Sequence, residues 1–152
     1  MRVSKEYDNG DDTWLGYSNV EGEWYIAYHG TGGLGVVKNI LEKGFQSGNR
    51  QHYKDSDNMN PLSNKIFPKC GVGVYITPVI EEAEKYSSYH PINFENNTYY
   101  FVFMCRVNPY KVRFANKVHP TYWIVSGDHI GSKDARKYID EIRPYRILLK
   151  KK

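Results

Sequence analysis

Three short stretches carry residue types whose spacing suits chemistry. They are His29-Gly30-Thr31, the glycine-flanked run Gly71-Val72-Gly73-Val74-Tyr75, and Tyr86, eleven residues after Tyr75. A histidine ring offers directed hydrogen bonds, a glycine lets backbone approach a ligand closely, and tyrosine faces can hold a planar group between them. The competing role for each is packing, since a tyrosine in a strand or on an amphipathic helix is commonly core. Other motifs fall away. Gly30-Thr31-Gly32-Gly33-Leu34-Gly35 is a literal GxGxxG, but a dinucleotide-binding βαβ unit needs a second strand ending in an acid about twenty residues later. That stretch is polar sequence around Asp55 and Asp57. His29, His52, His90, His119 and His129 are scattered without close-spaced partners, so no metal site is expected.

The elements that must position these residues follow from the hydrophobic pattern. Trp24-Tyr25-Ile26-Ala27-Tyr28 is an aromatic, apolar strand that runs straight into His29. A helix follows, with Leu34, Val37 and Leu41 on one face and Gly44 as its stop. Residues 46–69 form a long polar loop. Residues 71–77 enter a second strand, and Thr77 is placed to cap a helix beginning at Pro78, whose one face carries Val79, Ala83 and Tyr86. The run 99–107, apolar on both sides, predicts a central strand. Alternation of Tyr110, Val112 and Phe114 with Lys111 and Arg113 predicts a strand buried on one side. Tyr122 to Val125 and Ile147 to Leu149 complete the set, and Arg143-Pro144-Tyr145 marks a strand start or edge with Arg143 at the surface. The order indicates an α+β fold.

The 152 residues suffice for one domain with a real core, here residues 24–152 behind an irregular lead-in over 1–23. Fourteen tyrosines and three tryptophans fit half-buried strands and also a cleft that stacks a planar ligand. The net charge of +4 is unevenly spread: residues 1–23 are acidic, and residues 105–152 hold twelve of the bases. A solvated surface accounts for that basic third more simply than an anionic partner such as a dinucleotide or nucleic acid does. Cys70 and Cys105 lack CxxC spacing, so a reducing compartment is expected. No run approaches the ~18 residues of a membrane span. The expected location is intracellular, cytoplasmic or nuclear, with export as an effector also compatible.

The strand ending in His29-Gly30-Thr31, the Gly71–Tyr75 run and the correctly spaced Tyr86 together resemble the ADP-ribosyltransferases of the diphtheria-toxin and poly(ADP-ribose) polymerase type. The resemblance covers residues 24 to 149. It implies two packed, mainly antiparallel, curved sheets with few short helices, and NAD as donor substrate without a metal. In that family Tyr75 and Tyr86 would sandwich nicotinamide, a cationic planar ring. The Gly30 backbone would hold its carboxamide, and His29 would bond a ribose hydroxyl with Thr31 nearby. The family's third motif places a glutamate where Tyr122 stands, just before Trp123-Ile124-Val125. A phenol gives a hydrogen bond but no negative charge beside the developing cation. Asp128, Asp140 and Glu141 are candidates to replace it. Ala83 stands where some relatives carry a serine. The implied activity is mono-ADP-ribosyl transfer from NAD to a macromolecular acceptor, protein or nucleic acid, with catalytic residues His29, Tyr75 and Tyr122. The alternatives are an inactive NAD- or ADP-ribose-binding module of the same fold, or an enzyme like the RNA 2′-phosphotransferases.

Overall fold

The computed structural model describes residues 10, 12–18, 20–46, 58–59, 62, 66–67, 73–115, 121–125 and 141–152. They form an α+β arrangement of two antiparallel sheets with two α-helices. After a 3-10 turn at Thr13–Leu15 come β1 (Tyr25–Thr31), α1 (Leu34–Lys43), β2 (Asn58–Met59), β3 (Ile66–Phe67), β4 (Val74–Ile76) and α2 (Ile80–Ser88). Then follow β5 (Ile92–Phe94), β6 (Asn97–Val107), β7 (Val112–Phe114), β8 (Trp123–Val125) and β9 (Ile142–Lys151). Among the described residues no helix is long and apolar enough to cross a membrane.

The first sheet is built on β6. One side of β6 pairs with β9, and the other with β1 over Tyr25–Thr31 and β5 over Ile92–Phe94. A strand with neighbours on both sides and cover on both faces is apolar along most of its length, as residues 99–107 are apart from Arg106. The second sheet runs β3-β2-β7-β8-β4. Its β2 and β3 lie within the segment read as loop, where two-residue strands are too short to leave a periodic signal.

The core forms between the sheets. Ala27, Phe103, Cys105 and Val107 of the first meet Val74, Ile76, Val112 and Val125 of the second, with Val37 and Ile40 of α1 and Phe45. Phe45 meets Phe103 edge-on at 5.8 Å, a favoured aromatic geometry. Burial pushes the Cys105 thiol well above its ordinary pKa, so it behaves as a small hydrophobe. Cys70 lies outside the described residues.

Several details depart from the expectations. In α1 the buried stripe is Val37 and Ile40 rather than Leu34, which is 65% exposed. Gly44 does end the helix, with φ +88° and its N–H donating to the Ile40 carbonyl. Helix α2 starts at Ile80, not Pro78, because Thr77 is held extended by bonds to Tyr28 through both its backbone groups. The Thr77 hydroxyl instead accepts from the Val79 N–H at 3.1 Å. The buried face of α2 is Ala83 and Ser87, which leaves Tyr86 at its margin. Tyr110 is exposed and Arg113 buried, the reverse of the expected alternation.

The lead-in packs onto the sheet through an arginine that the sequence reading passed over. Buried Arg106 on β6 donates to the Trp24 and Leu15 carbonyls at 2.7 and 2.8 Å, beneath the Tyr17 ring. Next to it Arg143, expected at the surface, is half-buried with its guanidinium over the Trp24 and Trp14 rings. A charge inside an otherwise apolar central strand was the available signal.

Candidate functional site

The two sheets touch where β1 meets β4, and there they split. Tyr28 and Thr77 exchange both backbone hydrogen bonds, at 2.7 and 3.0 Å, in an isolated antiparallel bridge. Continued in register, that pairing would set Gly30 opposite Tyr75. Among the described residues the ladder stops at the single bridge. The Tyr75 carbonyl is met instead by a side chain, with His29 Nδ1 at 2.9 Å. Because strand groups alternate in direction, the Gly30 N–H and C=O point the same way as those of Tyr28, away from β6 and into the split.

The His29 contact settles its proton. A carbonyl only accepts, so Nδ1 carries the hydrogen and Nε2 of the neutral ring is an acceptor. Desolvation lowers the His29 pKa below its ordinary 6.5, partly opposed by the bond to Tyr75, so the ring is neutral at pH 7. Phe45 meets the ring edge-on at 5.0 Å and fixes its orientation from the core side.

Helix α2 closes one side of the split, and glycines allow its approach. A side chain on Gly30 would run into the Ala83 carbonyl and lie 3.1 Å from Tyr86 Cβ. One on Gly32 would run into His90, whose carbonyl accepts from the Gly33 N–H at 3.2 Å. Gly30 thus admits α2 onto β1, and Gly32, just past the strand, admits the turn that follows α2, a role the GxGxxG comparison did not suggest. Ser87 locks the helix down: its buried hydroxyl donates to the Phe101 carbonyl at 2.5 Å. Ala83 therefore serves as a close-packing residue.

The second sheet supplies the other side. Tyr75 pairs with Ile124, so Tyr75, Ile124 and Tyr122 share one face and pack on a small cluster with Ala115. Gly73 is required beneath them, since a Cβ there would lie 2.6 Å from Ile124 Cγ2 and 2.7 Å from the Val125 carbonyl. From α2, the Tyr86 hydroxyl donates to that of Tyr122 at 3.1 Å, with the rings edge-on at 6.4 Å between centroids.

His29, Gly30, Tyr75, Tyr86 and Tyr122 are thereby linked into one constellation by direct contacts and by the shared Ile124 cluster. Thr31 ends β1 opposite Phe101, half-buried. Of the candidate replacement acids, Asp128 and Asp140 lie outside the described residues. Glu141 is at the far end of β6, where its carboxylate accepts from Asn108 at 2.8 Å. Among the described residues no cluster of three or more His, Cys, Asp or Glu side chains is arranged to hold a metal ion. Chemically, the site combines aromatic faces, a neutral imidazole acceptor, a backbone amide and two phenols. Comparison with family models, characterised proteins and solved structures gives no match.

Proposed function

We propose that the protein is an NAD-dependent mono-ADP-ribosyltransferase with the ADP-ribosyltransferase fold. The observation that carries this reading is the split between β1 and β4. There the Gly30 amide and carbonyl face outward beside Tyr75 and Tyr86, while His29 is held in the tautomer that accepts from a hydroxyl. A primary carboxamide needs one donor and one acceptor in a row, which a single glycine backbone provides. A pyridinium ring favours tyrosine faces through stacking and cation–π attraction. A ribose hydroxyl can donate to His29 Nε2.

In the reaction, the bond from ribose C1′ to the pyridinium nitrogen breaks, and its electron pair leaves with neutral nicotinamide. The acceptor's nucleophile bonds to C1′ and its proton passes to solvent. Tyr75 and Tyr86 hold the leaving group, His29 orients the ribose, and Tyr122 stands beside the sugar with a phenol in place of a carboxylate. A neutral group stabilises the oxocarbenium-like transition state less than an anion does, so turnover is slow. The resemblance implies transfer of single units, because the family associates elongation with the glutamate.

Calorimetric titration with NAD tests the donor site. Tyr86→Ala should weaken binding by about 1–3 kcal/mol through the lost stacking platform. Binding equal to wild type would place the nicotinamide site elsewhere.

A further inference from the structure

Tyr86 does more here than offer a ring face. Its hydroxyl spans from the last turn of α2 to the residue before β8, two elements that share no strand pairing, and donates to Tyr122 at 3.1 Å. The edge-on ring geometry, 64° between planes, brings oxygen to oxygen rather than face to face. Tyr86 is itself fixed, because Gly30 admits its Cβ closely and Ser87, its neighbour in sequence, is pinned to Phe101. Tyr122 is fixed at its backbone, where its carbonyl accepts from the Ala115 N–H at 2.9 Å. Both phenols are thus delivered to one point by rigid supports.

We propose that the Tyr86 hydroxyl is a positioning group for Tyr122, orienting and polarising the phenol that takes the place of a carboxylate at the reacting sugar. This rests on the transferase reading above. A phenol oxygen that accepts a hydrogen bond becomes a stronger donor through its own proton, since hydrogen bonds in series polarise one another. It also loses the freedom to swing about its C–O bond. A carboxylate acts by charge at any rotation; a phenol must be aimed, and a second phenol does the aiming. The tyrosine at position 86 is therefore used at both ends, its ring for the leaving group and its hydroxyl for the sugar.

The test is a double-mutant cycle of Tyr86→Phe and Tyr122→Phe, each of which keeps the ring. Nicotinamide release is measured over a range of NAD concentrations, and unfolding in urea without NAD. Each single change should lower kcat about tenfold with KM within roughly twofold of wild type, as expected for one hydrogen bond made in the transition state. The double variant should be no slower than the slower single. Unfolding should show the same non-additivity, because the bridge is present without ligand. Multiplying kcat losses, or a raised KM with kcat unchanged, would overturn the positioning role while leaving the transferase reading in place. Additive unfolding would do so too, by removing the bridge. A wild type that releases no nicotinamide, with coupling still seen in unfolding, would instead overturn the transferase reading and reduce the bridge to a structural contact.

Discussion

Replacing Gly30 by alanine sets a methyl group against the part of the site least able to yield. The added Cβ meets the Ala83 carbonyl, which is helix backbone, and approaches Tyr86 Cβ at 3.1 Å. Relief by side-chain rotation is closed off. Helix α2 would have to lift from β1 as a body, stretching the 2.5 Å bond from Ser87 to Phe101 and carrying Tyr86 away from Tyr122. Overpacking of this kind costs about 1–3 kcal/mol. In a chain of this length that corresponds to a fall in Tm of roughly 2–12 °C. Gly35→Ala is the internal control: it lies in α1, and an added Cβ there meets nothing within 4 Å. Alanine favours a helix over glycine by up to about 1 kcal/mol, so Gly35→Ala should be neutral or stabilising. Scanning calorimetry of both variants beside wild type makes the comparison. Equal stability for Gly30→Ala and wild type would refute the close docking of α2 on β1, and with it the geometry of the site.

Protonation of His29 supplies a pH signature. Its folded pKa is lowered, so between that value and 6.5 the unfolded chain binds more protons and stability falls as pH falls through this window. Urea unfolding of wild type and His29→Gln across pH 4 to 8 should give a stability difference that shifts against wild type on acidification; a constant difference would contradict the assignment. Arg106→Leu removes two charge-assisted bonds to the Trp24 and Leu15 carbonyls, a loss of about 3 kcal/mol or more. It should also speed proteolysis within residues 12–24, and unchanged cleavage would show that this segment is held by other contacts.

The sequence spoke most clearly where one physical cause dominated. A run apolar on both sides had to be a central strand, and β6 is one. Gly44 stood where a helix needed a positive φ, and α1 ends there. It spoke less clearly where two causes competed. Tyr110 continues the alternation of Val112 and Phe114, but Asn108 draws it into a turn by accepting from the Tyr110 N–H at its side chain and from the Lys111 N–H at its carbonyl. The strand therefore begins only at Val112, and the alternation fails there too, because Arg113 is buried beside Val112. The first half of β9 was hidden by Pro144 and its basic neighbours. Proline lacks the N–H a ladder needs, and the structure accommodates it opposite Cys105, where the register of β6 and β9 shifts.

At the candidate site, residue types and spacing singled out His29, Gly30, Tyr75 and Tyr86, and the family resemblance added Tyr122. Neither was enough to reveal the hydroxyl bridge, because Tyr86 and Tyr122 lie 36 residues apart and meet through tertiary packing alone. Gly32 and Ser87 were missed for a similar reason. Their service to α2 is visible only once that helix lies on β1.

The central claim is NAD cleavage at this site with a phenol in the third position, and nicotinamide release measures it directly. Wild type should release nicotinamide slowly from NAD, faster when an acceptor is supplied. Tyr122→Glu restores a negative charge beside the ribose, provided that the carboxylate stays ionised when partly buried. A correctly placed charge is worth about 3 kcal/mol, or roughly a hundredfold in rate, so this variant should exceed wild type by up to that factor. Wild-type activity unaffected by Tyr122→Glu would contradict the assignment of Tyr122. A complete absence of release from both proteins, with and without acceptor, would contradict the transferase account itself.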